Sequence, residues 1–293
     1  MSDNVGKAED FKKQAEKKLK GFGFFGNKYE DAAELFEKAA NNFKLAKCWN
    51  DAVYCYEQLA ECQLKSDSKH DAATAFVEAS KCAAKLQPEK ATNLLQKAVS
   101  LYTDMGRLNM AARQLKEIAE VNEKQGLKSE AITFYEQAAD LFETEGSTSE
   151  ATKCKLKIAE FSGEMGSYKR AVEIYEEAAK AAVENNLLKF SARGYLLNAG
   201  ICYICYCSAD DLDIKIAKYK DIDLQFEGSR EAMLLDNVLE AFQETSVEKF
   251  ATALADFDRV IRLDAWKTKI LLEAKRRLES MAAGAEDEEE DLQ

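Results

Sequence analysis

The stretch GLKSEAITFYEQAADLFETEG, residues 126–146, opens and closes on glycine, and STSEATKCKLKIAEFSGEMG, residues 147–166, closes on another. Gly106, Gly126, Gly146 and Gly166 therefore keep a twenty-residue interval, and Asn186 takes the next step. Glycine, and next best asparagine, ends a helix in the left-handed conformation. Between these stops runs a second clock of small residues: Ala32, Ala52, Ala72, Ala91, Ala111, Ala131, Ala151, Ala171 and Ala192. From Ala131 the apolar positions are Phe134, Tyr135, Ala138, Ala139 and Phe142; from Ala171 they are Ile174, Tyr175, Ala178, Ala179 and Ala182. That is the spacing of an amphipathic helix. Helices of about fifteen residues joined by short turns make antiparallel hairpins with a unit of about forty residues, and such units bury their apolar faces only by stacking.

The expected architecture is all-α: a tetratricopeptide-like α-solenoid of helical hairpins, capped by a C-terminal helical bundle. Residues 4–20 read as a first helix, followed by a Gly-rich loop holding Phe22, Phe24 and Phe25, with hairpins over about 28–208. Ser129-Glu130 and Ser149-Glu150 supply capping hydroxyls at two helix starts; His70-Asp71 and Gln87-Pro88 mark two more. After Cys207 the clock breaks into four shorter elements around Ile214–Tyr219, Ala232–Phe242, Phe250–Val260 and Trp266–Ala283. The division is thus 1–208 for the first helix, aromatic loop and hairpins, 209–283 for the bundle, and 284–293 for an acidic disordered tail.

Composition narrows the function. The net charge is −12, and half of it lies in the run Glu286, Asp287, Glu288, Glu289, Glu290 and Asp291. An acidic balance argues against nucleic acid as a partner. The run itself is either a solubility tail or a contact for a basic partner. No apolar run is long enough to span a membrane and no signal peptide opens the chain, so a cytoplasmic protein with free thiols is expected. The one histidine, His70, sits at a turn without a local nucleophile. Cys202-x-x-Cys205-x-Cys207 lacks a second pair and lies among Ile201, Tyr203 and Ile204, as helix core does. No phosphate-binding loop of the G-x-x-x-x-G-K-[ST] type is present. The expectation is a non-enzymatic protein without cofactor or metal.

Two features stand out. Arg113, Lys153 and Arg193 are forty residues apart, with Lys157 a turn beyond Lys153 and Arg107 at the turn before Arg113. They form either a basic column, broadened by Lys116 and Lys155, or a scatter of surface charges. A column would hold a long anionic object with salt-sensitive affinity. Phe22, Phe24 and Phe25 either fold back onto the first hairpin or dip into a membrane surface, since burying one Phe gains roughly 1.5–3 kcal/mol.

The strings Ser68-Lys69-His70-Asp71-Ala72-Ala73-Thr74, Leu101-Tyr102-Thr103-Asp104-Met105-Gly106-Arg107, Leu187-Leu188-Lys189-Phe190-Ser191-Ala192 and Arg262-Leu263-Asp264-x-Trp266, with the acidic end before Asp291-Leu292-Gln293, resemble the alpha-type soluble NSF attachment protein family. The resemblance runs from the first helix to the last residue. It implies an adaptor that binds the SNARE four-helix bundle of syntaxin-type and synaptobrevin-type chains. The same adaptor recruits and stimulates the hexameric AAA+ ATPase NSF, several copies surrounding one bundle. The SNARE-binding residues it implies are Arg107, Arg113, Lys153, Lys157, Arg193 and Arg230; Arg113 and Arg193 stand where relatives often carry Lys. It implies membrane contact through Phe24 and Phe25, with Phe22 added, and hence a peripheral position on the cytosolic face of membranes. It places ATPase binding at Glu240, Glu244, Glu289, Glu290 and Asp291, and stimulation of hydrolysis at Leu292. The runner-up, a tetratricopeptide co-chaperone that clamps acidic peptide tails, fits a forty-residue unit less well than the usual thirty-four.

Overall fold

The computed structural model describes residues 2–21, 28–185 and 187–290. Among these residues every regular element is a helix. In chain order they are α1 (Ser2–Lys20), α2 (Lys28–Leu45), α3 (Trp49–Lys65), α4 (Lys69–Ala83), α5 (Pro88–Asp104), α6 (Leu108–Lys124) and α7 (Lys128–Thr144). There follow α8 (Thr148–Glu164), α9 (Tyr168–Glu184), α10 (Lys189–Tyr203), α11 (Ala209–Ile222), α12 (Arg230–Gln243), α13 (Val247–Asp258) and α14 (Ala265–Glu290). No described helix is long and apolar enough to cross a membrane.

The glycine clock is a chain of identical stops. Gly106, Gly126, Gly146 and Gly166 all have φ between 67° and 80°. At each the following amide reaches back five residues, as Arg107 N to Tyr102 O at 2.8 Å, while the glycine amide reaches back three, as Gly106 N to Thr103 O at 2.9 Å. This is the Schellman closure. The stop extends upstream without glycine: Lys47 (φ 60°) and Asp67 (φ 58°) occupy the same place, with Cys48 N to Phe43 O at 2.9 Å and Ser68 N to Gln63 O at 2.8 Å. Asn186 lies outside the described residues.

The residue that closes one helix also starts the next, so Ser129 and Ser149 fall inside the first turns of α7 and α8 rather than at their caps. The N-cap of α7 is Leu127, which has no side-chain cap bond. Serine caps come later in the chain: Ser208, Ser229 and Ser246 accept from the amides of Asp211, Ala232 and Lys249. Pro88 does open α5, after Gln87.

The chain forms two compact units, Met1–Cys154 and Lys155–Gln293. In the first, each helix from α1 to α6 packs on its successor. Every alanine of the clock is buried, which lets neighbouring helices approach closely. Phe36, Phe43, Tyr56, Phe76 and Leu94 fill the space between.

In the second unit α9 and α10 share a core with the helices after residue 208. One core runs from Ala159 to Leu278 because α10 packs on α9, α11, α12 and α14 together. A Cβ on Gly200 would stand 2.5 Å from Leu235 Cδ1, so a bare backbone lets α12 rest on α10. Trp266 Nε1 donates to Glu160 O at 2.8 Å and its ring meets Tyr175 edge-on, tying α14 to α8 and α9. Helix α14 continues past Gly284, where a free tail was expected, to Glu290. Ala282, Ala283 and Ala285 are strong helix formers around a glycine that costs about 1 kcal/mol.

Candidate partner-binding surfaces

Arg113 is the sixth residue of α6, and Lys153 the sixth of α8. Arg193 is the fifth of α10, because that helix starts one residue late against the forty-residue count. In the first unit Arg107 and Arg113 are exposed, and neither side chain has an ion-pair or hydrogen-bond partner among the described residues. Arg113 stands in an open cleft of about 610 Å3 with Ala84, Lys116, Glu117, Glu120, Val121, Lys124 and Glu150.

Glu150 governs the cations of that cleft. Its Oε1 accepts from Lys153 Nζ at 2.5 Å and its Oε2 from Lys116 Nζ at 2.9 Å. Those hydrogen bonds, Lys153 first, hold the Glu150 carboxyl well below the usual range, at about 2. Lys153 therefore meets an anionic partner only by sharing or leaving Glu150, whereas Arg107 and Arg113 are unencumbered.

In the second unit Lys157 is half-buried, 3.2 Å from Glu160 and over the Phe161 ring at 5.6 Å. Lys155 pairs with Glu177 at 2.9 Å. Arg193 is half-buried as well: Nη2 donates to Gln225 Oε1 at 2.9 Å, while Nε is buried without a partner. Gln225 is in turn fixed by its amide, which donates to Oδ1 of the buried Asp223 at 3.0 Å. Arg230 opens α12, is exposed, and walls a small pocket of about 100 Å3 with Met233, Leu234, Asn237, Ala253, Asp256 and Phe257.

On the acidic side, Glu240 and Glu244 sit a helical turn apart at the end of α12. Lys249 Nζ bridges them at 2.5 and 2.7 Å. Glu289 and Glu290 belong to the last turn of α14, but their side chains are not described. Phe22, Phe24, Phe25, Asp291 and Leu292 lie outside the described residues.

The candidate chemical groups are absorbed by packing. Cys202 and Cys207 are buried and Cys205 partly so, and burial pushes the Cys205 thiol up to about 12 and that of Cys207 to about 11. Cys205 Sγ donates to the carbonyls of Ile201 and Ile270. His70 lies beside Asp71, with Nδ1 3.5 Å from Oδ1, and edge-on to Tyr102.

Stacked hairpins with unencumbered guanidinium groups define a class, a helical-repeat protein that offers charged faces to other macromolecules. Within that class, the chain belongs to the soluble NSF attachment protein family. Residues 6–279 match the family model described as "Soluble NSF attachment protein, SNAP". The chain is 42% identical over 292 residues to the alpha-soluble NSF attachment protein of Vitis vinifera, covering 100% of both. It is 38% identical to that of Mus musculus, covering 99% of both. A probable vesicular-fusion protein sec17 homolog of Schizosaccharomyces pombe is 35% identical, over 91% of this chain and 94% of that one.

Three polar residues that modulate the implied sites carried no strong sequence signal. Glu150 is three residues from Lys153, so half of its clamp is local; Lys116 is thirty-four away. Gln225 is thirty-two residues from Arg193, and Lys249 reaches back across a turn to α12.

Proposed function

We propose that the chain is a non-enzymatic adaptor. It binds assembled SNARE bundles of syntaxin-type and synaptobrevin-type chains and brings NSF to them. It stimulates ATP hydrolysis there, and the bundle is taken apart for further rounds of vesicle fusion. The observation that carries this reading is the match of residues 6–279 to a family of NSF attachment proteins, with relatives aligned end to end. The co-chaperone reading has no comparable support.

The geometry is consistent with how such an adaptor would work. Arg107, Arg113 and Arg230 are cations without partners among the described residues, in a protein of net charge −12. Together with Lys153, Lys157 and Arg193 they would meet the acidic surface of a coiled four-helix rod. Each exposed pair is worth only ~0–1 kcal/mol, so binding has to come from several contacts at once. Several copies around one rod would follow, since one face covers part of it. Glu240, Glu244 and the acidic run with Leu292 would meet a basic surface of the ATPase. Phe22, Phe24 and Phe25 would touch the cytosolic face of the membrane, raising the effective concentration of an adaptor already held on a membrane-anchored bundle.

The test is disassembly of a purified SNARE bundle by NSF and ATP, with and without the protein. Disassembly that depends on the protein is expected. A protein that neither binds the bundle nor promotes its disassembly would overturn the reading.

A further inference from the structure

Between residues 11 and 28 the chain carries six lysines, Lys12, Lys13, Lys17, Lys18, Lys20 and Lys28, against one acidic residue, Glu16, in a protein whose net charge is −12. The structure sorts these lysines. Lys12 turns inward toward Glu9 and Asp51, Lys18 pairs with Asp31 at 2.7 Å, and Lys28 lies over the Tyr29 ring. Lys13, Lys17 and Lys20 are exposed and have no partner among the described residues. Glu16, the only acid in that stretch, is taken up by the Tyr54 hydroxyl of α3.

The three unpartnered lysines follow the i, i+4, i+7 spacing, so they line one stripe of α1. The stripe is turned away from Ala8 and Ala15, which are fully buried against the core of the first unit. Lysines in a last turn complement the helix dipole, but that effect ends within the turn, and Lys13 lies two turns before the end of α1. The stripe leads in sequence directly to Gly21 and the aromatic segment.

From this stripe we infer that α1 carries an anionic-lipid contact, in which Lys13, Lys17 and Lys20 engage the headgroups of a negatively charged bilayer. The inference deepens the membrane reading given above and supplies what a few aromatic rings lack. A single weak apolar anchor binds reversibly, and stable attachment takes a second signal such as a polybasic patch. Juxtamembrane lysines are drawn to phosphatidylserine-rich surfaces within a Debye length.

The test is vesicle co-sedimentation of the full chain. It uses vesicles of pure phosphatidylcholine and vesicles with about one-third phosphatidylserine, and a triple variant Lys13→Gln, Lys17→Gln, Lys20→Gln. At roughly five-fold per lysine, the triple variant should bind phosphatidylserine vesicles on the order of 100-fold more weakly at low salt. Its binding to phosphatidylcholine should stay unchanged, and the Lys→Arg triple should bind like the parent. Parent and Gln variant binding the charged vesicles equally would overturn the inference. So would an equal loss by the Gln variant of binding to a soluble SNARE bundle, which would make the stripe a protein contact. A parallel variant, Phe24→Ser with Phe25→Ser, separates the two readings. If it leaves phosphatidylcholine binding intact while the lysine variant loses the charge-dependent part, the aromatic reading fails and the lysine contact stands.

Discussion

At the scale of single residues, Glu150 sets how much positive charge the first unit presents. Its carboxylate occupies Lys153 and Lys116, two cations that an acidic partner would also seek. Replacing Glu150 by Gln should therefore tighten binding of a SNARE bundle by a few-fold, read by titration; weaker binding would mean that the clamp orients Lys153 rather than masking it. The same carboxyl gives a pH signature. Its folded value, about 2, lies below the ordinary 4.5, so its stabilisation is present above about 4.5 and is lost as pH falls toward 2. Lys153 is exposed and Lys116 and Glu150 partly so, so the effect stays within the ~0–1 kcal/mol of surface pairs. The melting temperatures of parent and Glu150→Gln should converge over that window. Arg193 is held differently, by a neutral amide, and leaves Nε unpaired. Gln225→Ala should free the guanidinium and weaken bundle binding by up to about five-fold, the worth of one hydrogen bond near 1 kcal/mol. The fold should stay intact by circular dichroism.

At the scale of elements, the repeated stop determines how the helices follow one another. At the stops of α5 and α6 a left-handed closure is followed at once by the next helix, whose N-cap has no side-chain cap bond, so these hairpins depend on the stop itself. Gly126 has φ 77° and nothing near the place of a Cβ, so Gly126→Ala meets only backbone strain. It should lower stability by about 1–2 kcal/mol. Lys47 already bears that strain at φ 60°, and Lys47→Gly should leave stability unchanged or raise it by up to about 1 kcal/mol. Denaturant midpoints for the pair check this; equal losses at both sites would contradict it. The stops at 47 and 67 are invisible to a search for glycine, since hydrogen bonding and not residue type defines them.

At the scale of the whole molecule, the proposed binding rests on charge. If basic residues of both units serve one anionic rod, Arg113→Glu with Lys153→Glu should reduce bundle binding by at least ten-fold, and the parent's affinity should fall steeply between 50 and 200 mM salt, roughly as several screened contacts would. Salt-independent binding, or a double reversal without effect in a folded protein, would remove the basic residues from the interface. Leu292→Ala addresses the other end: bundle binding should persist while stimulated ATP hydrolysis drops, measured by phosphate release.

The sequence by itself determined the helical hairpins and the family. Glycine spacing, alanine spacing and apolar periodicity are local properties that backbone sterics and burial translate directly into helices and turns. The strings around His70, Tyr102, Leu187 and Trp266 bear the family resemblance, and the relatives aligned end to end bear it out. It also showed that Arg113 and Lys153 hold equivalent places, because a forty-residue interval returns to the same point of a repeated unit. Only the tertiary structure decided where the units divide and which charges are available. The last four helices share a core with α9 and α10 because Gly200 admits Leu235 and Trp266 reaches Glu160, contacts between residues far apart in sequence. Whether a lysine is free depends on carboxylates brought close by packing, as with Lys116 and Glu150, and no local pattern encodes that distance.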